Sequence, residues 1–413
     1  MSKLDELIKE LCPNGVEYRS FGESATIVRG ASPRPIKNFV TTDPSGVNWI
    51  KIGDVKPGDK YITSSAEKIT PEGAKKSRPV KKGDFILSNS MSFGRPYILK
   101  IDGCIHDGWL AISDFSDSYI PDFLYHLLNS NKCQNEMKKK ASFGGAVQNL
   151  NADTVRALQL PVPPLEVQRE IVRVLDSFTL LTAELTAELT ARRKQYEFNR
   201  DQLLSFADAQ GGAQTDVTWL PLSALGKWSG GKTPSMAEKT YWEEGTIPWI
   251  SSKDMKESTL TDTQDHITET AVDKASMTVY PKNSIAIVTR SGILKHTFPV
   301  AYVPFETTIN QDIKMLVVSE DVLPRYAFHL IQGKGKDILL KSKKAGGTVD
   351  SLDFQKVLAY KVPVPSLDTQ AKLVAILDRF DALCNDISEG LPAEIEARQK
   401  QYEYYRDKLL SFN

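Results

Sequence analysis

The chain has only four cysteines, Cys12, Cys104, Cys133 and Cys384, and no two stand in a CxxC spacing. That excludes a zinc ribbon and a disulfide framework, and leaves the scattered thiols of a cytosolic protein. No stretch of about 18 apolar residues occurs, so nothing in the sequence is suited to span a bilayer. Leu4, Leu7, Ile8 and Leu11 alternate with acids and lysines ahead of Pro13-Asn14-Gly15. They predict a short amphipathic helix without the apolar core of a signal peptide. Net charge is absent too, 52 basic residues balancing 52 acidic ones. A simple electrostatic DNA binder, with a pI above about 9, is thereby excluded, but one with locally sorted charge is not.

Catalytic signatures are equally scarce. The five histidines (His106, His126, His266, His296, His329) form no HExxH and pair with no acids at metal spacing. His126 and His329 occupy matching contexts, Tyr125-His-Leu-Leu128 and Phe328-His-Leu-Ile331, which predicts core packing; His106-Asp107 is a dyad without a nucleophile motif. No GxSxG, glycine-rich cofactor loop or Asn-Pro-Pro-aromatic methyltransferase tetrad occurs. Gly226 to Thr233 does fit the P-loop pattern GxxxxGK[ST]. That pattern needs a helix opening at the Thr to hold phosphate. Here Pro234 follows, and residues 235–245 have no apolar helical face. A nucleotide site therefore rests on these eight letters alone, against the alternative of a simple turn.

What the chain has is a sentence written twice. Pro161-Val-Pro-Pro-Leu-Glu-Val-Gln168 returns as Pro363-Val-Pro-Ser-Leu-Asp-Thr-Gln370. Each copy opens a charged helical segment, and the segments close on Ala191–Phe206 and Ala397–Phe412, identical at 12 of 16 positions. A period near 200 residues is too long for a solenoid and means two similar halves. Fainter echoes lie between: Gly30-Ala-Ser-Pro-Arg34 with Gly231-Lys-Thr-Pro-Ser235, and Trp49-Ile50 and Asp54 with Trp249-Ile250 and Asp254. Phe143–Leu150 answers Ala345–Leu352 in the same way. Turns match while most residues between them differ, as expected of one scaffold with two surfaces.

The helical segments alternate apolar steps of three and four, through Ile171, Val174, Leu175, Phe178, Leu181, Leu185 and Leu189, then through Leu373, Ile376, Leu377, Phe380, Leu383 and Ile387. That is the seam of helices packed on helices. Of these, Phe178, Leu181, Leu185, Leu189, Phe380, Leu383 and Ile387, together with Tyr196 and Tyr402, are the expected strut and partner face. The first segment carries a tandem repeat, Thr182-Ala-Glu-Leu185 and Thr186-Ala-Glu-Leu189, whereas Gly390 and Pro392 should kink or restart the second. The repeat is open to two readings, neutral slippage or a length adjuster.

Two basic clusters stand out, Lys75, Lys76, Arg78, Lys81 and Lys82 without an acid, and five lysines from Lys334 to Lys344 against Asp337. Strand-like Phe85–Ser88 runs into Asn89, Ser90 and Arg95, and Ile285–Val288 into Arg290, Ser291, Lys295 and His296. Such side chains on loops read base edges or hold phosphates, though a solvated hairpin looks the same. The DNA-binding candidates are Arg34, Lys75, Lys76, Arg78, Asn89, Ser90, Arg95 and Gln148 in the first half. In the second half they are Lys232, Lys253, Arg290, Ser291, Lys295, His296, Lys343 and Lys344.

The paired Pro-Val-Pro-x-Leu-x-x-Gln openings and Gln-Tyr-Glu-x-x-Arg-Asp-x-Leu-Leu-Ser-Phe closings resemble the specificity (S) subunit of type I restriction–modification enzymes. The Thr-Ala-Glu-Leu repeats look like those of the type IC subclass. The resemblance implies an α/β (α+β) fold with two target recognition domains separated by two long antiparallel helices forming a coiled-coil strut. It also implies a cytoplasmic, non-catalytic scaffold that binds double-stranded DNA, two methyltransferase (M) subunits and restriction (R) subunits. S-adenosylmethionine, ATP and Mg would belong to those partners, and no cofactor or metal to this chain. The expected partition is 1–160 and 208–362 for the recognition domains, with 161–207 and 363–413 for the helical spacers. The rival readings are a P-loop NTPase and a coiled-coil adaptor that binds no DNA.

Overall fold

The computed structural model describes residues 3–56, 58–89, 93–144, 147–206, 217–344, 349–385 and 389–412, without the side chains of 142–144 and 147–149. Two compact units divide the chain, Met1–Glu184 with Ile395–Asn413, and Leu185–Glu394. Each globular half thus claims part of both helical segments.

In the first unit two five-stranded sheets stack. One carries Val47–Ile50 and Gly103–Ile105 side by side, the other Phe85–Ser88 between Trp109–Ser113 and Pro96–Leu99. Strand alternation sorts the core. Ile86, Tyr97, Trp109 and Ala111 point toward Ile50 and Ile105 between the sheets. Phe85, Leu87, Leu110 and Ile112 point the other way, toward Phe123, Leu124, the helical Val167, Ile171 and Leu175, and Leu410 just past the last helix. The second unit repeats the plan with four- and three-stranded sheets, the latter holding Ile247–Ile250 beside Thr308–Ile309. A short antiparallel pair closes each half, Tyr18–Ser20 on Gln159–Pro161 and Thr218–Pro221 on Lys361–Val364.

The duplicated openings earn their glutamine by a hydrogen-bond lock. Gln168 is fully buried; its Oε1 accepts from the Ile120 N–H (2.9 Å) and its Nε2 donates to the Ser118 and Pro163 carbonyls (2.7 and 2.8 Å). Gln370 does the same for Leu323, Asp321 and Pro365 (2.8, 3.0 and 2.9 Å). Ile120 and Leu323 each precede a helix that begins with proline, and the lock satisfies the N–H of that N-cap residue, which no helix carbonyl can reach.

The duplicated closings bind through histidine. His126 Nδ1 meets the Tyr402 hydroxyl (2.9 Å) and Nε2 meets Asp176 (3.1 Å); His329 repeats this with Tyr196 (2.9 Å) and Asp378 (2.7 Å). An imidazole carries two hydrogen-bonding nitrogens, so one ring can serve a carboxylate and a phenol at once. Both histidines are buried, so the packing expected from sequence carries a polar clamp as well.

Burial holds the His329 imidazole below its ordinary pKa, the Arg325 guanidinium adding to this against the raising effect of Asp378. Burial would raise Asp378, but hydrogen bonds from His329 and Arg325 outweigh it and hold that carboxyl below its ordinary range. Both native pKa values are depressed, so the folded unit binds fewer protons than the unfolded chain. The stability they contribute is present above the unfolded values and is lost as pH falls, first below about 6.5 for the imidazole. We expect the melting temperature of the second unit to fall between pH 7 and pH 5, and His329→Gln to flatten that slope. Equal slopes in the two proteins would remove His329 from the account.

The first long helix runs unbroken over Leu165–Leu203. The second segment is two helices, Leu367–Asn385 and Leu391–Leu409, the later one restarting with Pro392 in its first turn. Within the second unit Arg193 reaches the Cys384 carbonyl (3.3 Å), while Tyr196, farther along, shares His329 with Asp378, so the two helices run antiparallel there.

Their seam differs from the apolar spacing. Leu373, Leu377, Asp381 and Cys384 are buried on Leu367–Asn385, whereas Ile376 and Leu383 are 44% and 40% exposed. The reason is Arg325, whose guanidinium ties Asp381 (3.0 Å) and Asp378 (2.6 Å) into the domain and rotates the helix accordingly. Leu185 and Tyr196 are buried, Leu189 and Phe380 pack on the second core, and Phe178 and Leu181 are half-buried. Phe178 stacks on Tyr405 at 5.3 Å. Ile387 lies outside the described residues.

Candidate nucleic-acid interface

The faint echoes between the halves converge on one turn, built twice. Trp49-Ile50 pairs in parallel with Cys104-Ile105, and Trp249-Ile250 with Thr308-Ile309, so positions 106–108 correspond to 310–312. His106 Nδ1 accepts from the Gly108 N–H (2.6 Å), and Asn310 Oδ1 accepts from the Asp312 N–H (3.0 Å). Each side chain thereby folds a tight turn that projects the residue between, Asp107 or Gln311.

The Gly-x-x-Pro turn packs against this one. The Ala31 and Lys232 N–H groups donate to the Ile105 and Ile309 carbonyls (3.2 and 3.0 Å). A Cβ on Gly30 would lie 2.0 Å from the His106 carbonyl oxygen, and one on Gly231 1.8 Å from that of Ile309. Only glycine allows this approach. The next hydroxyl closes the contact: Ser32 Oγ donates to Asp107 Oδ1 (2.8 Å) and Thr233 Oγ1 to Gln311 Oε1 (2.5 Å). A further shared support is the carboxylate of Asp54 or Asp254, which accepts two backbone N–H groups in each half, from Lys51 and Ala66 or from Ser251 and Gln264. The third strand end joins through the Asn89 and Thr289 N–H groups, donated to the Gly108 and Asp312 carbonyls (3.1 and 2.8 Å). The Leu150 and Leu352 N–H groups then donate to the Asn89 and Thr289 carbonyls (2.8 and 2.9 Å).

Cations gather on this rim. In the first unit Arg34 reaches Asp107 (3.2 Å), Arg29 Nε donates to the Asp107 carbonyl (3.2 Å), and Arg78 Nε donates to the Arg29 carbonyl (3.2 Å). Exposed Lys75 and Lys76 adjoin through Ser77, which donates to the Ala31 carbonyl (2.7 Å). Arg78 opens the strand Arg78–Val80, and Lys81 and Lys82 follow its other end, where the Lys82 N–H meets Asp102, so the sequence cluster is divided. Arg95 is half-buried at the base of its loop. Asn89 is 2% exposed and its amide is spent on the Asp107 carbonyl (2.8 Å), which gives that side chain a structural task. Ser90 lies outside the described residues, as does the side chain of Gln148.

In the second unit the backbone bridges Arg290–Ser351 and Lys343–Leu352 draw two sequence-distant groups together. Arg290 and Lys344 are exposed there, Lys343 pairs with Asp350 (3.1 Å), and Ser291 receives the Ile293 N–H. Lys295 and His296 are exposed on the short 3-10 turn that follows. Lys232 is exposed on the Gly231 turn, and Lys253 pairs with Asp265 (3.6 Å) one turn away. Lys334, Lys336 and Lys341 belong to the helix Pro324–Ser342, separate from the rim. Sequence reasoning missed Arg29, Asp107 and Gln311; the matched Trp-Ile strands are the signal from which their register follows.

The P-loop pattern is a strand and turn. Gly226–Gly230 is a β-strand paired with Ile313–Val318, and no helix opens at Thr233. The glycine is required by the strand it approaches, and the twin turn at Gly30 lacks the lysine. Among the described residues no group of three or more His, Cys, Asp or Glu side chains is arranged to hold a metal ion, and no helix is long and apolar enough to cross a membrane.

Both halves match the domain described as "Type I restriction modification DNA specificity domain", over residues 13–192 and 217–397. The chain is 51% identical over 252 residues to the EcoR124I/EcoR124II specificity subunit of Escherichia coli, a match covering 61% of each protein. It therefore spans less than two thirds of that relative. A putative specificity subunit of Haemophilus influenzae is 30% identical over 308 residues, 70% of this chain and 72% of that one. A chain from a type I R–M system, solved in work on complex assembly and conformational transition, aligns with a TM-score of 0.66 at 17% identity, covering 96% of this chain and 98% of its own. The HsdS subunit of Thermoanaerobacter tengcongensis aligns at 0.51 and 17% identity over 96% and 97%. At these identities the structural likeness is one of fold.

Proposed function

We propose a function from one premise: this chain belongs to the type I restriction–modification DNA specificity family, both of its halves matching the family's domain. It reads double-stranded DNA without catalysing anything itself. Each unit reads one half of a split, asymmetric site, and the helical segments set the spacing and dock two methyltransferase subunits in the cytoplasm. Methyl transfer from S-adenosylmethionine, and ATP- and Mg-dependent cleavage by restriction subunits, belong to those partners.

The supporting observation is the contrast between frame and rim. The locks at Gln168 and Gln370, Asp54 and Asp254, and His126 and His329 are the same in both halves, while the exposed side chains on the matching turns differ, with Arg29, Arg34 and Arg78 on one rim and Lys232, Arg290 and Lys344 on the other. A scaffold that presents two different polar surfaces on one frame fits two different sequence readouts. A coiled-coil adaptor would have no use for that divergence, and a P-loop NTPase has no phosphate loop here.

Co-expressed with its methyltransferase subunits, the chain should direct methylation to a bipartite sequence. Arg290→Ala should relax or weaken only the half read by the second unit, by about 1–3 kcal/mol for a base contact. Sequencing of methylated DNA tests this, and equal degradation of both half-sites would count against independent reading.

A further inference from the structure

We infer that Asp107 and Gln311 are equivalent base-reading positions of the two domains, Asp107 accepting from the exocyclic amine of a cytosine and Gln311 pairing with the major-groove edge of an adenine. The inference rests on the DNA-reading function proposed above and carries it to residues and bases.

Presentation comes first. Both side chains sit at the apex of the same tight turn, fixed by the side chain before them accepting the N–H after them. Both are then held by a hydroxyl from the glycine turn, Ser32 or Thr233. Much of their rotamer freedom is therefore removed in the free protein, which lowers the ordering cost of a later contact. Both remain open to solvent, Asp107 at 43% of its side chain and Gln311 as an exposed residue.

Chemistry decides what each takes. The Ser32 hydrogen bond holds the Asp107 carboxyl below its ordinary range, so it is an ionised group that only accepts. Ser32 and Arg34 occupy one lone pair on each of its oxygens, leaving room for a cytosine N4 amine. Arg34, 81% exposed, supplies the donor fork that suits a guanine. Gln311 spends one Oε1 lone pair on Thr233 and keeps the other, together with both amide hydrogens. Acceptor and donor side by side match adenine N6 and N7.

The repeat shows what the frame holds constant around this tip. Gln168 with Gln370, Asp54 with Asp254 and His126 with His329 lock it with the same residue, and His106 with Asn310 fold the turn with different ones. The 107/311 turn keeps its geometry and its hydroxyl clamp, yet exchanges a carboxylate for an amide at its exposed tip.

The test uses the full chain assembled with its methyltransferase subunits and reads the methylated motif base by base. Gln311→Glu keeps an acceptor for Thr233 but loses the donors. It should shift one position of one half-site from adenine toward cytosine, changing that preference roughly 10- to 100-fold, and leave the other half-site alone. Gln311→Ala guards against a folding failure and should relax the same position; Asp107→Asn should relax one position in the other half. An unchanged motif in all three variants, or a loss of methylation uniform over every position, would overturn the inference. A wild-type complex that modifies no split site would instead overturn the function on which it rests.

Discussion

Gln370→Leu should lower the stability of the second unit by about 3 kcal/mol, the largest single-residue loss expected away from the apolar core. Gln370 is fully buried, and its side chain makes three hydrogen bonds. Leucine fills nearly the same volume, so the cost is one of orphaned groups rather than of a cavity. Those groups are the Leu323 N–H at a helix start and the carbonyls of Asp321 and Pro365. The Leu323 N–H precedes the first helical turn and points away from the helix carbonyls, so the helix itself cannot take over. For a unit of 210 residues, Leu185–Glu394, that loss corresponds to roughly 6–12 °C in melting temperature. Lys372→Ala, on the exposed side of the same helix, is the control and should move it by less than about 0.5 kcal/mol. Calorimetry on the full chain decides the matter. A Gln370→Leu melt within a degree of wild type would mean that water replaces the lock.

The same glutamine marks the boundary of what was legible in the sequence. Pro-Val-Pro-x-Leu-x-x-Gln announced itself as a helix opening because proline and a following 3.6-residue period act locally. What the glutamine does depends on residues 47 to 50 positions away, which no local pattern contains. The duplication, the long first helix and the restart at Pro392 were legible for the same local reason. The seam of Leu367–Asn385 was not. Apolar spacing favoured Leu383, and a buried charge pairing between Arg325 and Asp381 moved the buried face toward Cys384. At the rim, sequence reasoning named several of the cations that the turns carry, though not Arg29, and grouped them by chain proximity. It joined Lys75 to Lys82 and Lys334 to Lys344 by proximity along the chain, whereas strand and helix geometry divides both groups. It also gave Asn89 to the surface, because a strand leading into a polar loop does not reveal which polar side chain turns inward.

Deleting Thr182 to Leu185 should shorten the spacer of the methylated motif by one base pair while leaving both half-sites unchanged. The helix Leu165–Leu203 is continuous through this point, and the division between the two units falls between Glu184 and Leu185. The packing that anchors the helix lies to either side, Phe178 on Tyr405 in the first unit and Leu189 onward against the core of the second. Because the next four residues repeat Thr-Ala-Glu-Leu, the shortened chain presents the same letters after Leu181, with Leu189 in the place of Leu185. Folding of each unit should therefore survive. Removing four residues shortens a helix by about 6 Å and turns its far end by roughly 40°. One base pair of B-DNA advances about 3.4 Å and rotates about 35°. The rotation matches a single step, and rotation is the quantity that decides whether a second domain still faces its groove. The excess translation of about 2–3 Å is small beside a helical turn, and the second segment, already interrupted before Leu391, offers a place to absorb it. Sequencing of methylated DNA from cells expressing the shortened chain with its methyltransferase subunits gives the spacer directly. An unchanged spacer from a folded, active complex would reduce the repeat to neutral slippage, and a changed half-site would show that the deletion reached the recognition domains themselves.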